Sequence, residues 1–288
     1  MHIPDLLHSG RVNVSCEIFP PKEFSGLSQV KEVVRDIAAL SPAFVSVTYG
    51  AAGNTANNTL EIAQQVLASG CEPLYHLTCA ASTRDEINEQ LTALQAAGIR
   101  NVLALRGDLP QGTEFPGPRQ YKYASELICQ IKDYKGFIAG AACYPEGHPE
   151  SPSKDRDLDF LRRKVDAGAD FLTTQMFFDN NILYNFLYRA LQKGISVPVA
   201  AGIMPVVNAG QIKRICALSG ASLPPRFAAI VDRFSQNPKA MRQAGIAFAA
   251  EQIIDLIANG VTNIHIYTMN RPQIAAAIFA SLSEIIGV

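Results

Sequence analysis

The sequence carries no excess of charge of either sign: 25 Lys and Arg stand against 26 Asp and Glu in 288 residues. A chain so balanced has no electrostatic footprint for nucleic acid or for an acidic membrane surface, which leaves a small molecule as the partner to look for. A long apolar run is also missing. The longest weakly polar stretch, residues 136–145, falls far short of the roughly 20 residues needed to span a bilayer. The start, Met1-His2-Ile3-Pro4-Asp5, lacks the basic residues and apolar segment of a secretory signal, so the expectation is a cytoplasmic protein. None of the six cysteines (Cys16, Cys71, Cys79, Cys129, Cys143, Cys216) belongs to a C-x-x-C pair, and most lie in apolar runs. They read as reduced, largely buried thiols.

Several chemical signatures are absent as well. No G-x-G-x-x-G follows a strand pattern, and neither G-x-x-x-x-G-K-[ST] nor G-x-S-x-G occurs. A Rossmann dinucleotide site, a P-loop and a serine-hydrolase elbow are thereby excluded, and any dinucleotide has to be held by other loops. His148 lies between Glu146 and Glu150, but no H-E-x-x-H and no second cluster supplies further metal ligands, so a hydrogen bond to a ligand is its more economical role.

What is present is an alternation of short β-rich runs with longer helical patterns. The runs fall at residues 12–19, 44–49, 72–79, 101–107, 137–144, 171–178, 197–204 and 263–269. Several are continuously apolar, as parallel strands covered by helices should be. Leu158, Leu161 and Val165 recur with helical spacing behind Asp157, and Gly168, Gly194 and Gly260 stand where helices should stop. Eight such units predict an α/β fold of the (βα)8 TIM-barrel type, with an open doubly wound sheet as the alternative. The interval between the seventh and eighth runs is about twice the usual one, and helical patterns at 224–234 and 239–258 fill it with extra helices. No Pro/Gly-rich linker divides the chain, so residues 1–288 are expected to form one domain.

Polar side chains stand at the ends of nearly all of these runs: Glu17, Thr48 and Tyr49, His76 and Thr78, Asp108, Tyr144, Gln175 and Tyr267. In a barrel this end carries the active site. Each residue alone has a plainer explanation as a helix cap or a solvated rim group; together they predict a ligand-binding mouth. Glu17, in Ser15-Cys16-Glu17-Ile18-Phe19-Pro20-Pro21-Lys22, has apolar neighbours that would desolvate it and let it keep a proton near neutral pH. That suits a general acid, while a pairing with a rim Arg or Lys is the plainer alternative. In Arg106-Gly107-Asp108-Leu109-Pro110, Gly107 permits close backbone approach to a ligand and Arg106 suits phosphate, although the tripeptide is also common in ordinary turns.

Taken in order, these stretches resemble the methylenetetrahydrofolate reductase family. The resemblance runs over residues 10–285 and includes Phe44-Val45-Ser46-Val47-Thr48-Tyr49-Gly50-Ala51, His76-Leu77-Thr78-Cys79, Tyr123-Ala124-Ser125, Tyr144-Pro145-Glu146-Gly147-His148-Pro149, Arg163-Lys164-Val165-Asp166, Thr174-Gln175 and Tyr267-Thr268-Met269-Asn270-Arg271. It implies a barrel with FAD at its mouth, reduced by NADH or NADPH. Methylenetetrahydrofolate then takes the nucleotide's place, is protonated by the residue matching Glu17, opens to an iminium and is reduced to 5-methyltetrahydrofolate for methionine supply. Cofactor contacts implied by the match are Thr48, Tyr49, Ala51, His76, Arg106, Gly107, Asp108, Ala124, Tyr144, His148, Asp157, Arg163 and Lys164. Substrate contacts are Glu17, Thr48, Gln175, Gln211, Tyr267 and Arg271, with Glu17 and Asp108 as the catalytic pair. The resemblance also implies a homo-oligomer. Ile215, Phe160, Cys16 and Ile18 depart from the family pattern. Alternative readings are an accessory flavoprotein subunit of a larger reductase and another barrel flavin dehydrogenase of the proline dehydrogenase type.

Overall fold

The computed structural model describes residues 2–21, 26–49, 55–80, 82–108, 115–117 and 119–286. Its centre is a set of eight strands: β1 (Asn13–Ile18), β2 (Val45–Val47), β3 (Pro73–Thr78), β4 (Asn101–Leu105), β5 (Ile138–Cys143), β6 (Phe171–Thr174), β7 (Val199–Ile203) and β8 (Asn263–Tyr267). They pair in parallel in chain order, and β8 pairs with β1, Cys16 against Ile266 and Glu17 against Tyr267, to close the barrel.

Each expected strand is present but shorter than its apolar run. The largest difference is at 171–178, where the strand ends at Thr174 and the chain leaves the sheet at Gln175, whose N–H still donates to the Cys143 carbonyl at 2.7 Å. Phe177 and Phe178 continue the apolar pattern because they pack in the core beyond the strand.

The helices are α1 (Ile3–Leu7), α2 (Leu27–Ala38), α3 (Thr55–Ala68), α4 (Arg84–Ala96), α5 (Ala124–Asp133), α6 (Lys154–Asp166), α7 (Asn180–Gln192), α8 (Ala209–Ser219), α9 (Pro225–Phe234), α10 (Pro238–Ala258) and α11 (Pro272–Ile286). Those around the barrel bury one face against it; in α2 the buried set Leu27, Val30, Val34 and Ile37 has the i, i+3, i+7, i+10 spacing of a single stripe. Helix α6 begins three residues before Asp157, the start expected from the sequence, because the Ser153 hydroxyl caps it by accepting from Arg156 N–H at 3.2 Å. Gly168, Gly194 and Gly260 follow α6, α7 and α10 in the left-handed conformation, as the stop pattern predicts. The extra helices before β8 are α9 and α10. No helix among the described residues is long and apolar enough to cross a membrane.

The N-terminal end of the barrel is plugged. Ile3 and Leu7 of α1 join Phe44, Leu74, Leu103 and Phe171 in a small apolar core. The carbonyls of Leu6 and Leu7, at the C-terminus of α1, accept from Asn13 Nδ2 at 2.9 Å and Asn263 Nδ2 at 3.0 Å, so the helix end is not left with unpaired acceptors. A further core, separate from the main one, holds α8, α9 and α10 beside the exits of β6 and β7, with Phe227 and Phe248 stacked 3.8 Å apart at 10°.

Gly245 lets α10 lie directly against the loop after β7: a Cβ there would collide with the Val206 carbonyl oxygen. Because the obstacle is backbone, no side chain can swing aside. Gly245→Ala should gain about 1 kcal/mol of helix propensity and lose more to overpacking, typically 1–3 kcal/mol or above. The net expectation is a lower urea midpoint with an unchanged m-value; a raised midpoint would mean that α10 does not bear on this loop.

Candidate functional site

Strand alternation sorts the barrel residues. Val14, Cys16 and Ile18 of β1 belong to the main core between sheet and helices, whereas Ser15 and Glu17 face the other way, into the barrel. Ser46, His76, His265 and Tyr267 do the same on β2, β3 and β8. Going up from the apolar plug, the interior becomes polar at Ser15, Ser46 and His265, then reaches Glu17 and His76.

Glu17 is 7% exposed. Burial pushes its carboxyl up to about 8, and the Ser46 hydroxyl stands 3.5 Å from its Oε2. The His76 Nε2 atom stands 3.7 Å from Glu17 Oε2. This is a close approach rather than an ion pair: the distance exceeds a hydrogen bond, Nε2 is a buried atom with no hydrogen-bond partner, and burial drives His76 down to about 3, so the ring is neutral. His265 is held down to about 3 as well, first by burial and then by His76. Among the described residues, the groups that stand against the Glu17 carboxyl are neutral.

The exits of β1 and β8 are clasped together. Asn270 Oδ1 accepts from Phe19 N–H and Asn270 Nδ2 donates to the Phe19 carbonyl, both at 2.8 Å, and the Thr268 hydroxyl donates to the Glu17 carbonyl at 2.5 Å. Tyr267 donates its hydroxyl to the Thr174 carbonyl at 2.5 Å across the mouth. Beside it, Met204, Gln211, Ile215, Met269 and Arg271 help to line a cleft of about 110 Å³. Gln175 turns its carboxamide oxygen to Met176 N–H at 3.0 Å.

The opposite side of the mouth carries the charge. Arg106 is held by Glu150 in a two-pronged pair at 2.6 and 2.7 Å, which raises the guanidinium and lowers the carboxylate. Lys164, its ammonium lowered by burial, reaches in from α6 to donate to the Ala142 carbonyl at 2.9 Å. Asp157 is on the same face of α6, i, i+7 from Lys164; burial raises it, and the His148 backbone donates to it. His148 is lowered by burial, accepts Glu150 N–H on Nδ1 at 3.1 Å, and meets the Tyr144 ring edge-on at 4.6 Å. Burial lifts the Tyr144 phenol to about 12.

Among the remaining sequence candidates, Arg163 is exposed on the outer face of α6, its guanidinium over Phe160 at 5.4 Å. Thr48 and Tyr49 follow β2, and Thr48 N–H donates to the Ile18 carbonyl at 3.0 Å. Ala124 begins α5 and is buried. Gly107 has φ +85°, and a Cβ there would come 2.9 Å from Thr78 Cβ. Asp108 is exposed. Ala51 lies outside the described residues. Ser15, Ser46 and His265 were not among the sequence candidates; their signal is the polar residue at every second position of otherwise apolar strands.

An eight-stranded parallel barrel with a protonated carboxyl and a separate cationic arc at its carboxyl-end mouth has the layout of a barrel enzyme for an anionic small molecule. The comparisons narrow this class. Residues 2–283 match the family model described as methylenetetrahydrofolate reductase. The chain is 36% identical to the 5,10-methylenetetrahydrofolate reductase of Escherichia coli over 95% of its own length and 91% of that protein. It is 34% identical to methylenetetrahydrofolate reductase (NADH) 1 of Arabidopsis thaliana over 98% of its length, and spans about half (50%) of that plant relative. A probable methylenetetrahydrofolate reductase (NADPH) of Caenorhabditis elegans is also 34% identical, with 93% of this chain and 42% of that one covered. A Clostridium thermocellum protein solved with two copies of 5-methyl-5,6,7,8-tetrahydrofolic acid shares the fold, with a TM-score of 0.68 at 14% identity over 99% of both chains. The chain belongs to the methylenetetrahydrofolate reductase family.

The buried groups make stability depend on pH in two directions. Below the ordinary carboxyl value of 4.5, Glu17 is protonated in both folded and unfolded chains; between there and about 8 only the unfolded chain ionises, so stability is lost as pH rises through that window. His76 and His265 act in the opposite sense: below 6.5 the unfolded chain takes up protons that the folded one refuses until about 3, so stability is lost as pH falls. Urea unfolding of Glu17→Gln should therefore show a midpoint that gains on the wild type between about pH 5 and 8. Parallel midpoint curves for the two proteins would mean that Glu17 is ionised in the folded state.

Proposed function

We propose that this chain reduces 5,10-methylenetetrahydrofolate to 5-methyltetrahydrofolate, with FAD as resident carrier and NADH or NADPH as reductant. The observation that carries the reading is Glu17, a carboxyl group kept protonated near neutral pH at the mouth of the barrel. Family membership supports the substrate, and relatives named for NADH and for NADPH support a nicotinamide nucleotide of either kind.

The residues suit a flavin dinucleotide. Gly107 offers side-chain-free backbone at the β4 exit, and the partnerless Nε2 of His76 is a buried polar atom. Arg106 and Lys164 bring cations fitted to a pyrophosphate. Thr48, Tyr49, Ala124, Tyr144, His148 and Asp157 complete the set, with Ala51 and Arg163 joining it through the resemblance alone. When bound, the flavin supplies hydride transfer.

The chain's own side chains do the rest. Glu17 gives its proton to a ring nitrogen of the folate, the five-membered ring opens to an iminium, and the carbon becomes a hydride acceptor. Glu17 is left as a carboxylate and regains a proton through the mouth. Gln175 offers its amide NH2 to the pterin edge, its oxygen being engaged with Met176 N–H. Arg271 and Gln211, in the cleft beside Tyr267, suit the folate tail and its carboxylates. A single mouth takes nucleotide and folate in turn, so initial-rate lines should be parallel. By the same resemblance the enzyme is homo-oligomeric and feeds methionine synthesis.

The experiment is anaerobic stopped flow on the purified yellow protein: bleaching by NADH and by NADPH, then reoxidation by methylenetetrahydrofolate. Failure of the isolated chain to bleach would point to an accessory subunit. Glu17→Gln should lose about 10²–10⁴ in the folate half-reaction while bleaching survives, because only the folate step needs a proton donor. Equal losses in both would make Glu17 structural.

Asp108 adds a carboxylate to the rim beside Gly107 and opposes negative charge gathering there on reduction. Two unit charges about 4 Å apart interact by roughly 4 kcal/mol at an effective dielectric near 20, and an exposed rim keeps only about 1–2 kcal/mol of that. With about 1.4 kcal/mol equal to roughly 30 mV for two electrons, Asp108→Asn should raise the flavin midpoint by tens of millivolts. An unchanged potential in fully loaded protein would remove Asp108 from this role.

A further inference from the structure

We propose that His265, acting through Ser46, is a positioning residue that presets Glu17 as a proton donor: a one-directional chain of hydrogen bonds leaves Ser46 able only to accept from the acid.

The direction is set at the bottom of the chain, by backbone. The Ser15 hydroxyl donates to the Ile264 carbonyl at 3.0 Å, and a carbonyl can only accept. A hydroxyl has one proton, so the 2.7 Å contact between Ser15 Oγ and His265 Nδ1 must be bridged by a proton from the ring. His265 is 1% exposed, lies parallel to Phe44 with centroids 5.6 Å apart, and has no carboxylate partner, so it is neutral and carries only that one N–H. Its Nε2 is therefore a bare acceptor. The Ser46 hydroxyl, 3.1 Å away, must donate to it. With its proton committed, Ser46 presents lone pairs to Glu17 Oε2 at 3.5 Å. A carboxylic O–H facing those lone pairs is favourable, whereas a carboxylate oxygen is not.

Among the described residues, no other element offers the carboxylate relief. Of the described groups, those facing Glu17 are His76 from β3, neutral and 3.7 Å away, and Tyr267, its register partner on β8, which spends its hydroxyl on the Thr174 carbonyl. The chain is also closed below. Under Ser15 and His265 lies the apolar plug of Ile3, Leu7, Phe44, Leu74, Leu103 and Phe171, so the network is no wire to solvent. A proton given up by Glu17 returns from the mouth. In the interval, Ser46 can turn its hydroxyl to the carboxylate only by leaving His265 Nε2 unpaired, a cost that reprotonation removes.

The kinetic consequence rests on the proposed function; the hydrogen-bond direction does not, and the test separates them. With the five histidines labelled with ¹⁵N, NMR of the wild-type protein should find His265 as the Nδ1–H tautomer; Nε2–H overturns the proposal outright. In His265→Phe, which keeps a ring against Phe44, the Ser46 hydroxyl is released to the carboxylate. A hydrogen bond to a charged group is strong enough to make Glu17 about tenfold more acidic, read from the ¹³C carboxyl titration of labelled glutamate. Ser46→Ala, a smaller change in case the ring exchange does not fold, removes the same donor and should leave Glu17 no more acidic than in the wild type. A wild-type titration in folded His265→Phe, or a more acidic Glu17 in Ser46→Ala, also overturns the proposal. In the kinetic arm, the alkaline limb of the folate half-reaction should move down about one pH unit in His265→Phe while reduction by NAD(P)H stays put. If NMR gives the expected tautomer and titrations but folate is not reduced, the function fails and the positioning role stands.

Discussion

Burial of one carboxyl group among neutral described neighbours is the constraint around which the mouth is arranged. Taking Glu17 out of water disfavours its charged form, and the barrel gives it neutral neighbours: two imidazoles and two serine hydroxyls arranged in layers. The cations of the β4 exit and of α6 stand elsewhere. Arg106 is engaged by Glu150, and Lys164 reaches the Ala142 carbonyl from α6. The mouth thus has one side, built by β1, β2, β3 and β8, where the described groups around Glu17 are neutral, and another, built by the β4 exit and α6, where Arg106 and Lys164 stand. Had Lys164 reached the Glu17 side, the acid would ionise and the division would collapse.

The apolar plug supports this arrangement from below. Ile3 and Leu7 of α1 and the barrel's own Phe44, Leu74, Leu103 and Phe171 close one end, so the polar layers open toward the other. The separate core of α8 to α10 does a different job, walling the cleft at Gln211 and Ile215, and its Phe227–Phe248 stack is independent of the barrel's packing. One core keeps water from the acid, and the other shapes the entrance.

Much of this is legible in the sequence. The eight apolar runs, the helix stops at Gly168, Gly194 and Gly260, and the doubled interval before β8 predict the closed barrel and its insertion. Strand ends are harder: residues 175–178 continue the apolar pattern of β6 because Phe177 and Phe178 are buried by tertiary packing, which periodicity cannot separate from strand pairing. Helix α1 is too short for a helical period to show, and its capping partners Asn13 and Asn263 are distant in sequence from one another. At the mouth, Glu17 is found by its apolar neighbours, while His265, in an ordinary run Asn263-Ile264-His265-Ile266-Tyr267, reads as a strand residue like any other. Its importance comes from partners 219 and 250 positions away, which only the closure of β8 on β1 brings within reach.

The clasp between Asn270 and Phe19 has a further consequence for recognition. Asn270, in a left-handed turn with φ 54°, bonds both backbone groups of Phe19, so the loop that leads into Arg271 and the strand that carries Glu17 move as one edge. The separation between guanidinium and acid is then a gauge built into the molecule. A bound molecule is measured for length as well as for chemistry, and one too short to reach from end to end forfeits one of its two anchors.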